Sequence, residues 1–428
     1  MAGWVAEYRE KIEQRRVAPE WPLGDLTAAL PAAPPEHAEK LAAIFEDFER
    51  VIVPGLVHAG HPDFLGAGGA TTASPGILGQ WLASALDGGG ASAVAATLEA
   101  TMVEWIRGML GVAEGYQGRV YDTASLATLH VLAAARHAID PEVQRRGVAG
   151  APKLLLYASA EADAAVERAA VLLGLGEDSV RRVEADGEFR LRPAALRAAI
   201  ARDVHARLRP FAVVATVGTS SSVAVDPVPA IADVCAEQRL WLHVDALHGG
   251  ALAMLPEGRW VMDGVNRADS VLVRALDLSV LYTRPAVLSD VEAEVARGRH
   301  LDALKAWVAL RAFGRTGIES RLREQVRLAR RFADWVEADP DFELAAPVTM
   351  NVVCFRARPA GLADEELDAL NGRLVSQLTG GGRVVLTLAR LDGRATLRVA
   401  VGNVLTTERH LAEVWTLLHD AFDRLLLD

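Results

Sequence analysis

A run of apolar residues that stops on an acid constrains this chain more than any other feature. Leu240, Trp241, Leu242 and Val244 have the composition of a buried strand, and Asp245 arrives where that strand opens into small residues and the pair Gly249-Gly250. A second short apolar strand, Ser270 to Val273, ends in Arg274-Ala275-Leu276-Asp277. Upstream, Lys153 to Ser159 and Phe211 to Thr216 read as further buried strands, each followed by a helical stretch. Strands separated by helices argue for a doubly wound, mostly parallel α/β sheet. In such sheets ligands sit outside the carboxyl ends of the strands, where Asp245 and Asp277 both fall.

With 428 residues, 51% of them hydrophobic, the chain can bury a large core and carry a second, smaller domain. A formal net charge of −11 gives no support for nucleic acid or acidic membranes as partners. Met1-Ala2-Gly3-Trp4 begins an amphipathic stretch and not a signal peptide, and no apolar run is long enough to span a membrane. The expected location is the cytoplasm. Cys235 and Cys354 read as buried structural thiols. Lysine is confined to Lys11, Lys40, Lys153 and Lys305, so only those four could form a Schiff base.

Several pieces share one likeness: His243-Val244-Asp245-Ala246, the strand ending at Asp277, His61-Pro62-Asp63-Phe64-Leu65-Gly66, Val217-Gly218-Thr219, Leu304-Lys305-Ala306-Trp307, and the stretches around Asn351 and Arg398. They resemble the pyridoxal-phosphate-dependent group II decarboxylases, the fold type I family of aromatic amino acid, glutamate and histidine decarboxylases. The resemblance runs from Trp4 to the last helix. It implies a seven-stranded, doubly wound, mostly parallel sheet, with residues 1–65 as a helical dimerisation arm, 66–300 as a large cofactor-type domain and 301–428 as a small α+β domain. A homodimer follows from that arm. The same likeness assigns Asp245 to the pyridine nitrogen, Thr219 to a cofactor contact and Ser125 to the turn that holds the cofactor phosphate. It leaves Lys305 structural, and His58 and His61 as loop or packing residues.

The departures lie where the chemistry is. In the resembled family the second strand ends in a His-Lys pair whose lysine binds the cofactor covalently; here those positions are Leu276 and Asp277. A histidine that stacks on the pyridine ring is replaced by Asp163, which has the alternative role of capping or salt-bridging its helix. The phosphate turn reads Tyr121-Asp122-Thr123-Ala124-Ser125-Leu126-Ala127-Thr128 without the family's Gly-Gly, and Asp122 is either a helix N-cap or a carboxylate beside the phosphate site. The Asp87-Gly88-Gly89-Gly90 run is a loop by composition, with no strand leading into it as a phosphate cradle would require.

On this reading Asp122, Asp163, Asp245 and Asp277 approach one cavity. Such carboxylates cannot all stay charged, so one becomes a general acid or base, or a cation neutralises them. Asp277, Asp245, Asp163 and His248 are the expected catalytic residues, with His248 as a proton shuttle; its bland alternative is packing. Asp122, Thr123 and His243 are expected to bind substrate, and no metal is assigned. The expectation is a cofactor-independent acid–base enzyme of lyase, condensation or cyclisation type, acting on a small amine or amino-acid-derived substrate in specialised metabolism. Two alternatives stand beside it: a lysine-less enzyme that binds pyridoxal or pyridoxamine phosphate without a covalent bond, and a non-catalytic, ligand-binding paralogue.

Overall fold

The computed structural model describes residues 2–19, 29–66, 73–86, 93–150, 152–284 and 301–427; the Asp87 to Gly90 run lies outside them. They divide into two compact units, Met1–Thr71 with Gln325–Asp428, and Thr72–Glu324. Boundaries expected at residues 65 and 300 thus differ from the compact units. The N-terminal residues join the C-terminal ones because their backbones pair: Val17 N–H donates to Gly382 O at 2.8 Å and Leu65 N–H to Val385 O at 2.9 Å.

In the first unit α1 (Ala2–Glu10) and α2 (Leu41–Asp47) meet through Trp4, which stacks on Tyr8 and sets its ring edge-on to Phe45. The second unit opens with α3 (Ser74–Leu86) and α4 (Ala93–Leu110) and then alternates strand and helix. Its strands and longer helices are β1 (Gln117–Tyr121), α5 (Ala124–Ile139), β2 (Leu154–Ser159), α6 (Ala165–Leu172), β3 (Val180–Val183), α7 (Pro193–His205), β4 (Arg209–Thr216), α8 (Val228–Gln238), β5 (Trp241–Ala246), β6 (Ser270–Ala275) and β7 (Leu278–Thr283). The strands form one seven-stranded sheet in the order β1-β7-β6-β5-β4-β2-β3. Only β7 runs against its neighbours, so the other six present their carboxyl ends along one edge. β2 is buried throughout and β4 nearly so, because helices cover both faces of a sheet wound this way. The sequence reading of a doubly wound, mostly parallel sheet holds.

One face of that sheet packs under α5 and α6. Ala127, Val131 and Ala135 of α5 and Val166 and Ala169 of α6 form a core with Leu156, Val214 and Leu272, and Trp241 packs against it. The long helix α9 (Ala303–Ala338) leaves helical geometry at Gly314, whose φ is 64°. Lys305 belongs to this helix, and a Cβ on Gly79 of α3 would stand 2.7 Å from its Cα, so the two helix backbones touch there. The C-terminal elements are β8 (Phe342–Leu344), β9 (Val352–Ala357), α10 (Asp364–Gly380), β10 (Thr387–Leu391), β11 (Arg394–Ala400) and α11 (Glu408–Leu427). Their strands make an antiparallel sheet, β10-β11-β9-β8, and Phe332, Phe355, Leu374, Leu397 and Leu418 fill the core beside it.

Candidate active site

Asp245 stands at the carboxyl end of β5 and is buried. One carboxylate oxygen accepts the N–H of Leu247 at 3.1 Å; the other has no hydrogen bond among the described residues. Burial pushes this carboxyl up to about 6, the Leu247 N–H pulls it down, and the charge of Asp163 pushes it up again. Asp163 is fixed before α6, where one of its oxygens accepts the N–H of Ala165 at 2.7 Å and meets Arg168 at 3.3 Å. Asp163 thus braces the start of α6 through Ala165 and Arg168, and its charge also reaches Asp245.

The expected four-acid pocket is only half assembled. Asp122 is exposed after β1, and Asp277 is half-buried in the tight turn between β6 and β7; neither contributes to the shift at Asp245. Asp122 is not the helix cap: Thr123 is, accepting the N–H of Leu126 at 3.2 Å. Thr123 and Ser125 are both exposed in this first turn, and the N–H groups of Ala124 and Ser125 are open among the described residues. Leu276 and Asp277 adopt φ values of 52° and 61°, a left-handed pair that a two-residue hairpin demands and that leucine rarely adopts. Among the described residues the Asp277 carboxylate makes no hydrogen bond.

Of three further expected contacts, two are engaged within the fold and one lies open at the edge. His243 shares the face of Asp245, since residues two apart on a strand point the same way, but lies deeper and is fully buried. Its Nδ1 meets Ser270 Oγ at 2.9 Å, its Nε2 has no partner, and burial lowers it to about 4, so it is a neutral core residue and no substrate contact. Thr219 is fully buried with its hydroxyl 3.0 Å from Ser222 Oγ and accepting the Ala224 N–H at 3.1 Å; it shapes the loop after β4 and offers no free hydroxyl. His248 is exposed in the turn beyond β5, too open to be the packed residue of its bland reading.

Two residues escaped sequence reasoning. Asp226 is buried and accepts the N–H groups of Leu191 at 2.7 Å and Thr216 at 2.8 Å, and burial pushes it up to about 7. It fixes the end of β4 beside β5, where Val217 N–H donates to Asp245 O at 2.7 Å. Its signal in the sequence was an acid standing directly before a proline, Asp226-Pro227, at the entry to α8. Arg274 is the other, and its signal was a charge interrupting the apolar run of β6.

An α/β sheet of this order, with a buried aspartate at its carboxyl edge and an open helix N-terminus nearby, defines a fold type I enzyme architecture. The chain belongs to the pyridoxal-dependent decarboxylase family, whose conserved-domain profile matches residues 23–281 and 272–358. It is 31% identical to tryptophan decarboxylase TDC2 of Camptotheca acuminata, over the whole of this chain and 94% of that protein. It is 30% identical to phenylacetaldehyde synthase of Arabidopsis thaliana, over the whole of this chain and 95% of that protein. The crystal structure of Oryza sativa TDC with PLP, pyridoxal phosphate, superposes with a TM-score of 0.92 at 31% identity, covering 99% of this chain and 96% of that one.

These findings correct the expectation of a cofactor-free pocket. The family is pyridoxal-dependent, and a structural neighbour holds PLP. The residues present fit such a cofactor in their donor chemistry: a buried carboxylate with one unclaimed oxygen suits a protonated ring nitrogen, and open N–H groups at a helix N-terminus suit a phosphate.

Proposed function

We propose that the chain holds pyridoxal or pyridoxamine phosphate without a covalent bond and acts as a lyase of the amino acid decarboxylase type. Its substrate class is a small amino-acid-derived compound of specialised metabolism, and its working form is a cytoplasmic homodimer. The carrying observation is the pairing of a retained, buried Asp245 with Asp277 at the position where the resembled family has its lysine. No lysine of the same compact unit stands at this edge. Within Thr72–Glu324 the alternatives are Lys153, which precedes β2 and so lies at the opposite edge of the sheet, and Lys305, which lies on α9 where it packs against Gly79.

Bound in its aldehyde form, the cofactor would supply an electron sink for bond cleavage at the carbon bearing the amine. Asp245 holds the proton on the ring nitrogen, and the carboxylate of Asp163 adds negative charge that favours that cation. Asp277, at the turn of the β6–β7 hairpin, takes the proton from the incoming amine. The open N–H groups of Ala124 and Ser125 orient the phosphate. An apolar face on α3, where Leu78, Trp81, Leu82 and Leu86 are all more than half exposed, supports the homodimer.

The test is an absorbance spectrum and calorimetry of the purified protein with added pyridoxal phosphate, before and after dialysis and borohydride treatment. Stoichiometric binding that borohydride does not make permanent is expected. Absence of binding heat, or a covalent adduct after borohydride, would each defeat the reading.

A further inference from the structure

Of the residues of β4, β5, β6 and β7, the heart of the sheet, Arg274 alone is exposed. Its side is fixed by its strand. Ser270, four residues earlier and therefore on the same face, accepts a hydrogen bond from Trp241 Nε1 at 3.0 Å and meets His243 Nδ1 at 2.9 Å. Trp241, His243 and Asp245 alternate onto one face of β5, so Arg274 and Asp245 look out on the same side, the side that α5 covers. In register Asp245 lies opposite Leu272, which sets Arg274 one strand over and two residues nearer the carboxyl edge, about 8 Å from Asp245 between Cα atoms. Across the ladder Arg274 faces Ser279, and Ser279 faces Tyr121, the last residue of the strand that leads into α5.

Electrostatics make the position consequential. The phosphate turn has lost its glycine pair and carries Asp122, while Asp163 and Asp277 add carboxylates along the same edge. A dianion brought there needs a compensating cation. Arg168 is engaged by Asp163, and Arg182 by Glu167 and the carbonyls of Ser159 and Ala162. Arg274 makes no ion pair or hydrogen bond among the described residues. An exposed guanidinium on a central strand, at the carboxyl edge where sheets of this kind bind ligands, matches the geometry of a carboxylate or phosphate.

We infer that Arg274 is the anion clamp of this site, holding an oxyanion group of the bound ligand: the cofactor phosphate or the carboxylate of an amino-acid substrate. The inference rests on the cofactor reading above and assigns to this chain a cation that compensates for the lost glycine turn.

Calorimetry on the full chain tests it, with pyridoxal phosphate against pyridoxal as one pair of probes and L-tryptophan against tryptamine as another. Wild type is expected to bind pyridoxal phosphate at least about tenfold more tightly than pyridoxal. In Arg274→Met that advantage vanishes while pyridoxal binding is unchanged, and Arg274→Lys keeps part of it. Loss of the tryptophan-over-tryptamine preference instead would assign the clamp to the substrate carboxylate. If both preferences survive in Arg274→Met, or wild type shows neither, the inference is overturned. If wild type binds neither form of the cofactor, the reading under Proposed function falls separately, and the tryptophan pair alone decides the role of Arg274. Because Arg274 is exposed, unchanged melting temperatures confirm that the variants fold.

Discussion

The carboxyl edge of the sheet has a floor and a rim, and they differ in what holds them. On the floor, Asp245, Asp226 and Thr219 are buried, and each is engaged by backbone N–H groups. On the rim, Asp122, Ser125 and His248 are exposed, and Asp163 and Asp277 are partly so. A buried polar group is constrained by the fold itself, since removing it strands its partners. A rim residue is answerable mainly to the ligand. Asp122, Asp163 and Asp277, the positions where the sequence reading expects departures from the resembled family, all fall on the rim, and the proposal is of a rebuilt rim over a retained floor.

The largest effect expected is from Asp226→Ala. It leaves the N–H groups of Leu191 and Thr216 buried without an acceptor, at a cost of about 2–5 kcal/mol. The check is the melting temperature and urea midpoint of the cofactor-free protein. A change under 0.5 kcal/mol would erase the distinction between floor and rim.

Asp245→Asn separates stability from binding. The carboxyl of Asp245 stands at about 6, above its ordinary value of 3.8, so the folded protein holds the extra proton between those values. The stability this gives is complete at pH below about 4 and is lost as pH rises through about 6. Asparagine keeps the Leu247 contact and never ionises, so at pH 8 the variant is expected to be more stable than wild type by about 1–3 kcal/mol. Its pyridoxal phosphate affinity should fall about 10- to 100-fold, because a charged partner to the ring nitrogen is gone. Denaturation and calorimetry on the same samples test both signs. Loss of stability at pH 8 would mean the carboxylate is not held up by burial.

Asp163→Asn is a smaller change, confined to the rim. Asparagine still accepts the Ala165 N–H through its oxygen, so stability should stay within about 0.5 kcal/mol. Cofactor retention, which needs Asp245 ionised, improves as pH rises through about 6 in wild type. Removing the charge of Asp163 lowers the Asp245 carboxyl and should move that midpoint to lower pH, by less than about one unit. A midpoint that stays put would show that Asp163 does not act on the floor.

The fold was legible in the sequence because buried parallel strands write themselves as apolar runs, and the acid at the end of β5 breaks such a run visibly. The site was legible only as positions. The reading of His243 as a substrate contact failed because the strand pattern gives the face of a residue but not its depth, and His243 lies one step too deep. Thr219 failed because a hydroxyl consumed by its own loop looks in sequence like one that is free. Asp122 lost the cap to its neighbour Thr123, a one-residue difference of backbone geometry. Convergence of four acids was inherited by position, and only the pair Asp163 and Asp245 is coupled in the structure.

The smallest structural effect, and the sharpest separation of rim from floor, is expected from Asp277→Asn. The residue sits at φ 61°, a left-handed geometry that asparagine adopts as readily as aspartate. Six residue pairs between β6 and β7 hold the hairpin on either side of it. No hydrogen bond to a described residue is lost, so the melting temperature should not move by more than about a degree, equivalent to under about 0.5 kcal/mol. Turnover should nevertheless fall by about 10²- to 10⁴-fold, because an amide cannot take the proton of the incoming amine, while the affinity for pyridoxal phosphate stays within a few-fold. Wild-type turnover in Asp277→Asn would remove the base from this turn. A collapse in stability would instead show that the carboxylate holds the hairpin together and that Asp277 belongs with the floor.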